Sequence, residues 1–178
     1  MSTAVLSLGS NLGDRLGYLR AAVAGFVDDP VVELVGVSPV YETEPWGGVE
    51  QPDFLNAVLL ARSGELDEWD WLRRGQALER AAGRVREVRW GPRTLDVDVV
   101  AVFLGSRTDD EGEAVYRDDP ELRLPHPGAA ERNTVLRPWL DVDPDAVLPG
   151  HGRVAELLAR LGERGMRRRD DLRLEPAG

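Results

Sequence analysis

The stretch Ala4-Val5-Leu6-Ser7-Leu8 is an almost continuous apolar run, and Gly9-Ser10-Asn11-Leu12-Gly13-Asp14 follows it directly. Such a run is typical of a strand that is buried on both faces, and the glycine-rich segment predicts a turn. Apolar side chains then recur at helical spacing until Asp28-Asp29-Pro30 ends the pattern. The beginning of the chain therefore predicts a central strand, a turn and a helix whose cap is Asp14.

The remaining chain continues the alternation of strands and helices. Further strands are predicted at Val31 to Val40, at Phe54 to Ala61 and at Leu95 to Phe103, with a second amphipathic helix from Leu66 to about Gly83. Strand, helix, strand, strand, helix, strand is the order of a ferredoxin-like sandwich. In this α+β fold, helices pack on one face of an antiparallel sheet.

The C-terminal half predicts additions to this core. Extra helices are expected near Asn133 to Leu140 and over Val154 to Leu161, where apolar residues have helical spacing. Residues 105–121 are acidic and rich in turn-forming residues, which predicts an exposed excursion. The mixed charges of Arg167-Arg168-Arg169-Asp170-Asp171 predict a solvated face. At 178 residues, we expect a single domain spanning residues 1–178.

The composition excludes several kinds of chemistry. The chain has no cysteine, so disulfides, thiolate zinc sites, iron–sulfur clusters and a cysteine nucleophile are excluded. All 22 basic residues are arginine, which excludes a phosphate-binding Gly-Lys-Ser/Thr loop and Schiff-base chemistry. The N-terminus does not resemble a signal peptide, and no apolar run approaches the ~20 residues of a membrane span. We therefore expect a cytoplasmic protein.

The charge of the chain is unevenly distributed. The net charge is −10, yet the segment from Arg73 to Arg93 carries seven arginines against Glu79 and Glu87. A cationic island in an acidic protein favours a local anionic ligand over a long polyanion. An RNA-recognition domain with this strand order would need a basic sheet face with exposed aromatic residues, so nucleic-acid binding is disfavoured.

Two carboxylates stand next to that island. Asp96 and Asp98 are two residues apart on a predicted strand, so they project from the same face, and Val97 points the other way. Paired carboxylates offer hard oxygen ligands to Mg²⁺, which completes its coordination with water and phosphates. A wet strand face with two solubilising acids is the alternative, but the adjacent arginines favour phosphoryl transfer.

The segment Arg89-Trp90-Gly91-Pro92-Arg93-Thr94-Leu95-Asp96-Val97-Asp98 resembles the signature of the 6-hydroxymethyl-7,8-dihydropterin pyrophosphokinases of folate biosynthesis. A match of this length is highly specific. The resemblance covers about residues 3–140, and residues 141–178 match weakly. Supporting matches follow in the family's order at Gly9 to Gly13, Tyr41 to Gly47, Gln51 to Ala57, Gln76, Glu79, Gly83 to Arg86, Pro125-His126 and Arg132.

The resemblance implies a magnesium-dependent diphosphokinase that transfers pyrophosphate from ATP to the hydroxymethyl group of 6-hydroxymethyl-7,8-dihydropterin and releases AMP. It implies two Mg²⁺ ions on Asp96 and Asp98. We also expect a monomer that binds neither nucleic acid nor membrane. The implied catalytic residues are Arg84, Arg93, Asp96 and Asp98. The implied ATP contacts are Gln76, Glu79, Arg84, Arg86, Arg93, His126 and Arg132. The implied pterin contacts are Thr43, Trp46, Phe54, Asn56 and Trp90.

One departure from the family pattern concerns the pterin. Many members place an aromatic residue two positions after the arginine that matches Arg132, where it stacks on the second face of the pterin. Here Asn133-Thr134 occupies that place, which predicts an uncovered pterin face unless Trp46 or Trp139 replaces the ring. A relative that binds nucleotide or pterin without efficient turnover is therefore the alternative function.

Overall fold

A computed structural model of the chain describes residues 1–45, 50–83 and 94–174. The elements in chain order are β1 (Ser2–Ser10), α1 (Arg15–Val27), β2 (Glu33–Val37), β3 (Val40–Thr43), β4 (Phe54–Ser63), α2 (Glu68–Ala81), β5 (Asp96–Leu104), β6 (Glu113–Ala114), β7 (Arg117–Asp118), β8 (Arg123–Leu124), a 3₁₀ turn (Ala129–Glu131), α3 (Asn133–Val142), β9 (Val147–Leu148), β10 (Gly152–Arg153), α4 (Val154–Leu161) and β11 (Met166–Arg169).

The main sheet is antiparallel and is built around β1. Its order within the described ranges is β11-β3-β4-β1-β5-β6, and β2 pairs with the other end of β4. Every residue of β1 is buried, because β4 and β5 flank it and side chains cover both of its faces. The prediction of a central strand from the first apolar run is therefore confirmed.

Helices cover both faces of this sheet: the two predicted core helices share one face, as expected, and the predicted C-terminal helices cover the other. Alternate residues of a strand point to opposite faces, and in β1 Leu6 enters one apolar cluster while Val5 enters the other. The first cluster includes Phe26 of α1 and Trp71 of α2. The second includes Trp139 of α3 and residues of α4. The C-terminal helices therefore form a third layer.

Several local predictions are confirmed, and one strand is divided. Asp14 caps α1, since its side chain accepts a hydrogen bond from the Gly17 amide at 3.0 Å. The predicted strand from Val31 to Val40 is present as β2 and β3, which are separated at Ser38-Pro39. Proline has no amide hydrogen to donate to a ladder, so the strand bends there and pairs with β4 on both sides of the bend.

Two C-terminal predictions of exposed, charged segments are confirmed, and the structure adds sheet pairing to each. The excursion at 105–121 is largely exposed, but its Val115 is buried and continues the sheet, with its amide donating to the Val102 carbonyl at 2.8 Å. The charged tail is largely exposed, as predicted, but its arginines belong to β11, which pairs with β3 at the edge of the sheet. No helix in the described ranges combines the length and the apolar character needed to cross a bilayer.

Replacing Ser2 by alanine is expected to cost about 1–3 kcal/mol of unfolding free energy. The buried Ser2 hydroxyl donates to the Leu66 carbonyl at 2.6 Å and accepts from the Trp71 indole at 2.9 Å, so both partners would lose a bond inside the core. Urea denaturation measures the loss. The exposed Ser106 is the control, and Ser106→Ala should stay within about 0.5 kcal/mol of the wild type. Equal effects of the two substitutions would contradict the prediction.

Candidate active site

The strand register brings the two groups of predicted site residues together at one end of the sheet. Gly9 of β1 lies opposite Asn56 of β4 on one side and opposite Asp96 of β5 on the other. Two strand spacings separate the backbones of β4 and β5, or about 10 Å. The predicted pterin side and the predicted metal side are therefore neighbours across Gly9.

The side chains of this row share one face. Asp96 and Asp98 alternate with Val97, which enters the α1–α2 cluster, and Asn56 alternates in the same way with Leu55 and Ala57. All three polar side chains consequently point to the sheet face that carries α3 and α4. The prediction that the two carboxylates project from one face is confirmed.

The carboxylates are half-buried, and small residues face them. Ser7 and Gly9 of β1 lie opposite Asp98 and Asp96, so β1 itself contributes little side-chain volume beside the carboxylates. In the part of the chain that the structure describes, no group of three or more acidic or histidine residues forms a ready-made metal cage. A cation bound here would need oxygen ligands from water or from an anionic ligand as well.

Glu79 supports the strand that carries the carboxylates. Its side chain is only 5% exposed, and its Oε2 accepts a hydrogen bond from the Val97 amide at 3.1 Å. This amide lies between the two aspartates. The helix can come so close because Gly75 faces Val97: an added Cβ would lie 3.0 Å from a Val97 methyl. Gln76, on the same helix, is half-buried and accepts from Arg73 at 3.1 Å. The nucleotide contacts of Gln76 and Glu79 stay predictions.

The predicted pterin-side residues are preorganised by one another. Asn56 Nδ2 donates to Thr43 Oγ1 at 2.5 Å, and Thr43 is 2% exposed. The amide oxygen of Asn56 is turned towards Gly9, where an added Cβ would lie only 2.9 Å from it. Phe54 is half-buried beside the same gap. The arrangement presents an acceptor oxygen next to an aromatic ring, which suits a flat heterocycle with N–H donors.

His126 and Arg132 are brought together by a tight turn. The His126 amide donates to the Val100 carbonyl of β5 at 2.8 Å, and His126 Nδ1 accepts from the Gly128 amide at 3.1 Å. Burial, together with the nearby positive charge of Arg132, lowers the pKa of His126 to about 4. The imidazole is therefore neutral at pH 7, with Nδ1 as acceptor and Nε2–H as the donor it can offer to a ligand.

The structure shows the surroundings of Thr134 and Trp139, the two described residues on which the covering of the second pterin face is expected to depend. Thr134 is half-exposed and lines a cavity of about 290 Å³ together with Glu44, Pro45 and Asn133. Trp139, one of the two predicted substitutes for the missing ring, has an exposed fraction of 0% and belongs to the α3–α4 cluster. Trp139 cannot cover a ligand without leaving the core, so this part of the expectation is wrong.

Five predicted site residues lie outside the described ranges. They are Trp46, Arg84, Arg86, Trp90 and Arg93. The roles that the sequence predicts for them stay predictions.

Sequence reasoning missed the roles of two glycines. Gly9 leaves space for the Asn56 amide, and Gly128 lies against the Arg132 guanidinium, with an added Cβ 3.0 Å from its Cζ. Both glycines stand inside or beside recognised motifs. The need for a glycine at these positions, however, arises from neighbouring residues on other strands and turns.

Comparison with known proteins places the chain in a family. The model of the 7,8-dihydro-6-hydroxymethylpterin-pyrophosphokinase (HPPK) family matches residues 5–144. A 2-amino-4-hydroxy-6-hydroxymethyldihydropteridine pyrophosphokinase of Mycobacterium tuberculosis is 49% identical over 174 residues, covering 98% of this chain and 90% of the relative. The enzyme of the same name from Bacillus subtilis is 40% identical over 139 residues, covering 78% of this chain and 77% of the relative.

Solved structures agree at the level of the fold. A crystal structure of Plasmodium falciparum HPPK-DHPS with STZ-DHP matches with a TM-score of 0.66 at 12% identity. An HPPK-DHPS structure in complex with substrates matches with a TM-score of 0.65 at 11% identity. Each match covers 94% of this chain, which spans about half the length of those proteins, 46% in both cases.

Fold and sequence together define a transferase of the pyrophosphokinase class. The chain belongs to the HPPK family.

Replacing Gly9 by alanine is expected to reduce pyrophosphokinase kcat/KM by about tenfold or more. The new methyl group would displace the Asn56 amide oxygen and with it the hydrogen bond to Thr43. Steady-state kinetics and a thermal melt measure the change. The control is Gly64→Ala, because an added Cβ at Gly64 meets no atom within 4 Å. Unchanged kinetics in Gly9→Ala would show that the orientation of the Asn56 amide does not affect kcat/KM.

His126 is expected to make folding stability depend on pH. Its pKa is about 4 in the folded protein and about 6.5 when unfolded. The unfolded chain therefore binds more protons between these values. The stabilisation is complete above pH 6.5 and is lost as the pH falls towards 4, on the order of 3 kcal/mol in all. His126→Gln should flatten this part of the curve. Urea unfolding between pH 4.5 and 7 measures it, with the exposed His151→Gln as control; an unchanged slope in His126→Gln would refute the prediction.

Proposed function

We propose that this protein catalyses the magnesium-dependent transfer of pyrophosphate from ATP to the hydroxymethyl group of 6-hydroxymethyl-7,8-dihydropterin, with release of AMP. The observation that carries the proposal is the row in which Asn56, Gly9 and Asp96 lie side by side on three strands. This row lies in a chain of the HPPK family, whose relatives are named for this pterin substrate. The acceptor hydroxyl and the triphosphate would meet above Gly9.

The donor set fits Mg²⁺. Two half-buried carboxylates on one strand face supply hard oxygen ligands, and the small residues opposite them leave room for the waters and phosphates that Mg²⁺ requires. Asp96 and Asp98 would hold two ions. Bound there, the ions would neutralise the triphosphate and align its oxygens for in-line displacement.

On the nucleotide side, some residues would contribute positive charge and others hydrogen bonds. Arg132 would contribute a full positive charge to the phosphates, as would Arg84, Arg86 and Arg93. His126 would not, because burial keeps the imidazole neutral; its Nε2–H would donate one hydrogen bond to a phosphate oxygen. Glu79 would act on the nucleotide side mainly by holding the Val97 amide, and with it the two metal ligands. Gln76 completes the proposed set.

The pterin side recognises a flat, hydrogen-bonding heterocycle. Asn56 would accept a hydrogen bond from an N–H of the pterin through the amide oxygen that faces Gly9, while its NH₂ group stays on Thr43. Phe54 would stack on one face of the ring, and Trp46 and Trp90 are proposed to complete the enclosure. A heterocycle without the matching donor would leave the Asn56 oxygen unpaired, which is the basis of selectivity.

Other expectations stay predictions. These are the ferredoxin-like assignment, the single domain over residues 1–178, the monomeric state, the cytoplasmic location and the absence of nucleic-acid binding.

Asp96→Asn and Asp98→Asn are each expected to lower AMP formation by orders of magnitude at saturating substrates. Each substitution removes a negative ligand and leaves the triphosphate charge less neutralised in the transition state. Pterin affinity should survive because the ring contacts lie on β3 and β4. The measurement is AMP release by chromatography, with pterin binding by calorimetry and thermal melts without metal.

The matched control is Asp118→Asn, because Asp118 is a fully exposed strand carboxylate. Near-normal turnover in both site variants would overturn the metal assignment and with it the proposed reaction. If the wild-type protein binds MgATP and pterin but releases no AMP, the protein is instead a binding relative without efficient turnover.

A further inference from the structure

Glu42 of β3 is a nearly buried carboxylate that meets three guanidinium groups. Its side chain is 10% exposed. Arg15 Nη1 lies 3.0 Å from Glu42 Oε2, Arg169 Nη1 lies 3.3 Å from Glu42 Oε1, and Arg167 also pairs with Oε1. Burial alone would raise the pKa of this carboxyl, but the three arginines hold it below its ordinary value. We call these four residues the Glu42 cluster.

The cluster joins two separate segments to the strand that carries Thr43. Arg15 begins α1, and Arg167 and Arg169 belong to β11. In the ladder between β11 and β3, Arg167 lies opposite Glu42 and Met166 lies opposite Thr43. The Glu44 amide continues the contact by donating to the Gly165 carbonyl at 3.0 Å.

The same cluster reaches the beginning of β4. Arg15 Nη1 donates to the Asp53 carbonyl at 3.0 Å as well as to Glu42, and Asp53 immediately precedes Phe54. Asn11, which directly follows β1, supports the same segment by donating to the Pro52 carbonyl at 2.9 Å. A single carboxylate therefore links the backbone next to Thr43 with the backbone next to Phe54.

The position of Glu42 explains how it acts on residues that it does not touch. Side chains alternate along a strand, so Glu42 points away from the sheet face on which Tyr41 and Thr43 lie. β3 is short, with three residues paired to β4. A strand of this length at an edge would have little to hold it, and β11 with the Glu42 cluster supplies the second side.

We infer that Glu42, held by Arg15, Arg167 and Arg169, is a positioning residue for the pterin side of the site, acting through Thr43 and Phe54. The inference rests on the proposed function, and it assigns the C-terminal strand to the substrate-binding machinery. Exposed ion pairs contribute little to stability. The cluster instead fixes the distance between β3 and β4, the two strands that would contact the pterin.

The chain offers a closely matched control. Arg168 lies between Arg167 and Arg169 on β11, opposite Tyr41, so it points to the other face, and its guanidinium pairs with Asp170 at 2.5 Å. Arg168→Gln removes the same charge from the same strand as Arg169→Gln but leaves the Glu42 cluster complete. Glu42→Gln keeps the side-chain shape and removes the central charge.

The experiment compares Glu42→Gln and Arg169→Gln with Arg168→Gln and the wild type in the full-length protein. Calorimetry with a non-hydrolysable ATP analogue and Mg²⁺ measures the affinities for nucleotide and for 6-hydroxymethyl-7,8-dihydropterin. Hydrogen exchange reports the protection of the amides in residues 40–44. We expect Glu42→Gln and Arg169→Gln to weaken pterin binding about tenfold, to keep nucleotide affinity within about twofold and to lose protection at β3. Arg168→Gln should match the wild type.

The outcomes separate this inference from the proposed function. If the wild type binds pterin and the two cluster variants bind it equally well, the positioning role is wrong and the proposed function stands. A parallel loss of nucleotide and pterin affinity would show a general structural defect and would also overturn the positioning role. If the wild type binds nucleotide but no pterin, the proposed function fails, while the exchange of residues 40–44 still shows whether Glu42 holds β3.

Discussion

The antiparallel pairing of β1 with β4 on one side and with β5 on the other is the constraint on which the rest of the structure depends. It places Asn56 and Asp96, which are distant in the chain, on either side of Gly9. The pairing is held in register by apolar side chains on both faces, because a slip of one residue would exchange the two buried sets. The separation between the Asn56 amide and the carboxylates is therefore set by the core of the protein rather than by a loop.

The two faces of the sheet have different structural roles. The α1–α2 face is supportive: Gly75 lets α2 approach β5, where Glu79 holds the amide between the two aspartates, and Arg15 at the start of α1 meets Glu42. The α3–α4 face is covered by α3 over Val5, Val58 and Leu60. The polar row continues beyond that cluster on the same face. The polar row thus lies on a surface whose backbone is held from the opposite side of the sheet.

Charge in this acidic chain is arranged in local groups. The Glu42 cluster gathers three arginines on one nearly buried carboxylate, whereas His126 is kept neutral by burial next to Arg132. The same residue types would give an unremarkable surface if they were evenly spread. Their grouping gives one ion-pair cluster that holds β3, and one neutral imidazole that can donate a hydrogen bond on the side expected to take a highly charged nucleotide.

The sequence by itself determined the central strand, both helices of the first layer, the common face of Asp96 and Asp98, and the family. Each of these depends on local periodicity or on a continuous motif such as residues 89–98. Only the tertiary structure decided that helices cover both faces and that Glu79 lies beneath β5. It also decided that Trp139 is committed to the core and that the arginine tail is a strand against β3. The physical reason is that these properties depend on which distant residues become neighbours. Whether a carboxylate is buried or a glycine is required depends on the residues that face it across the sheet. Local sequence periodicity does not identify those residues.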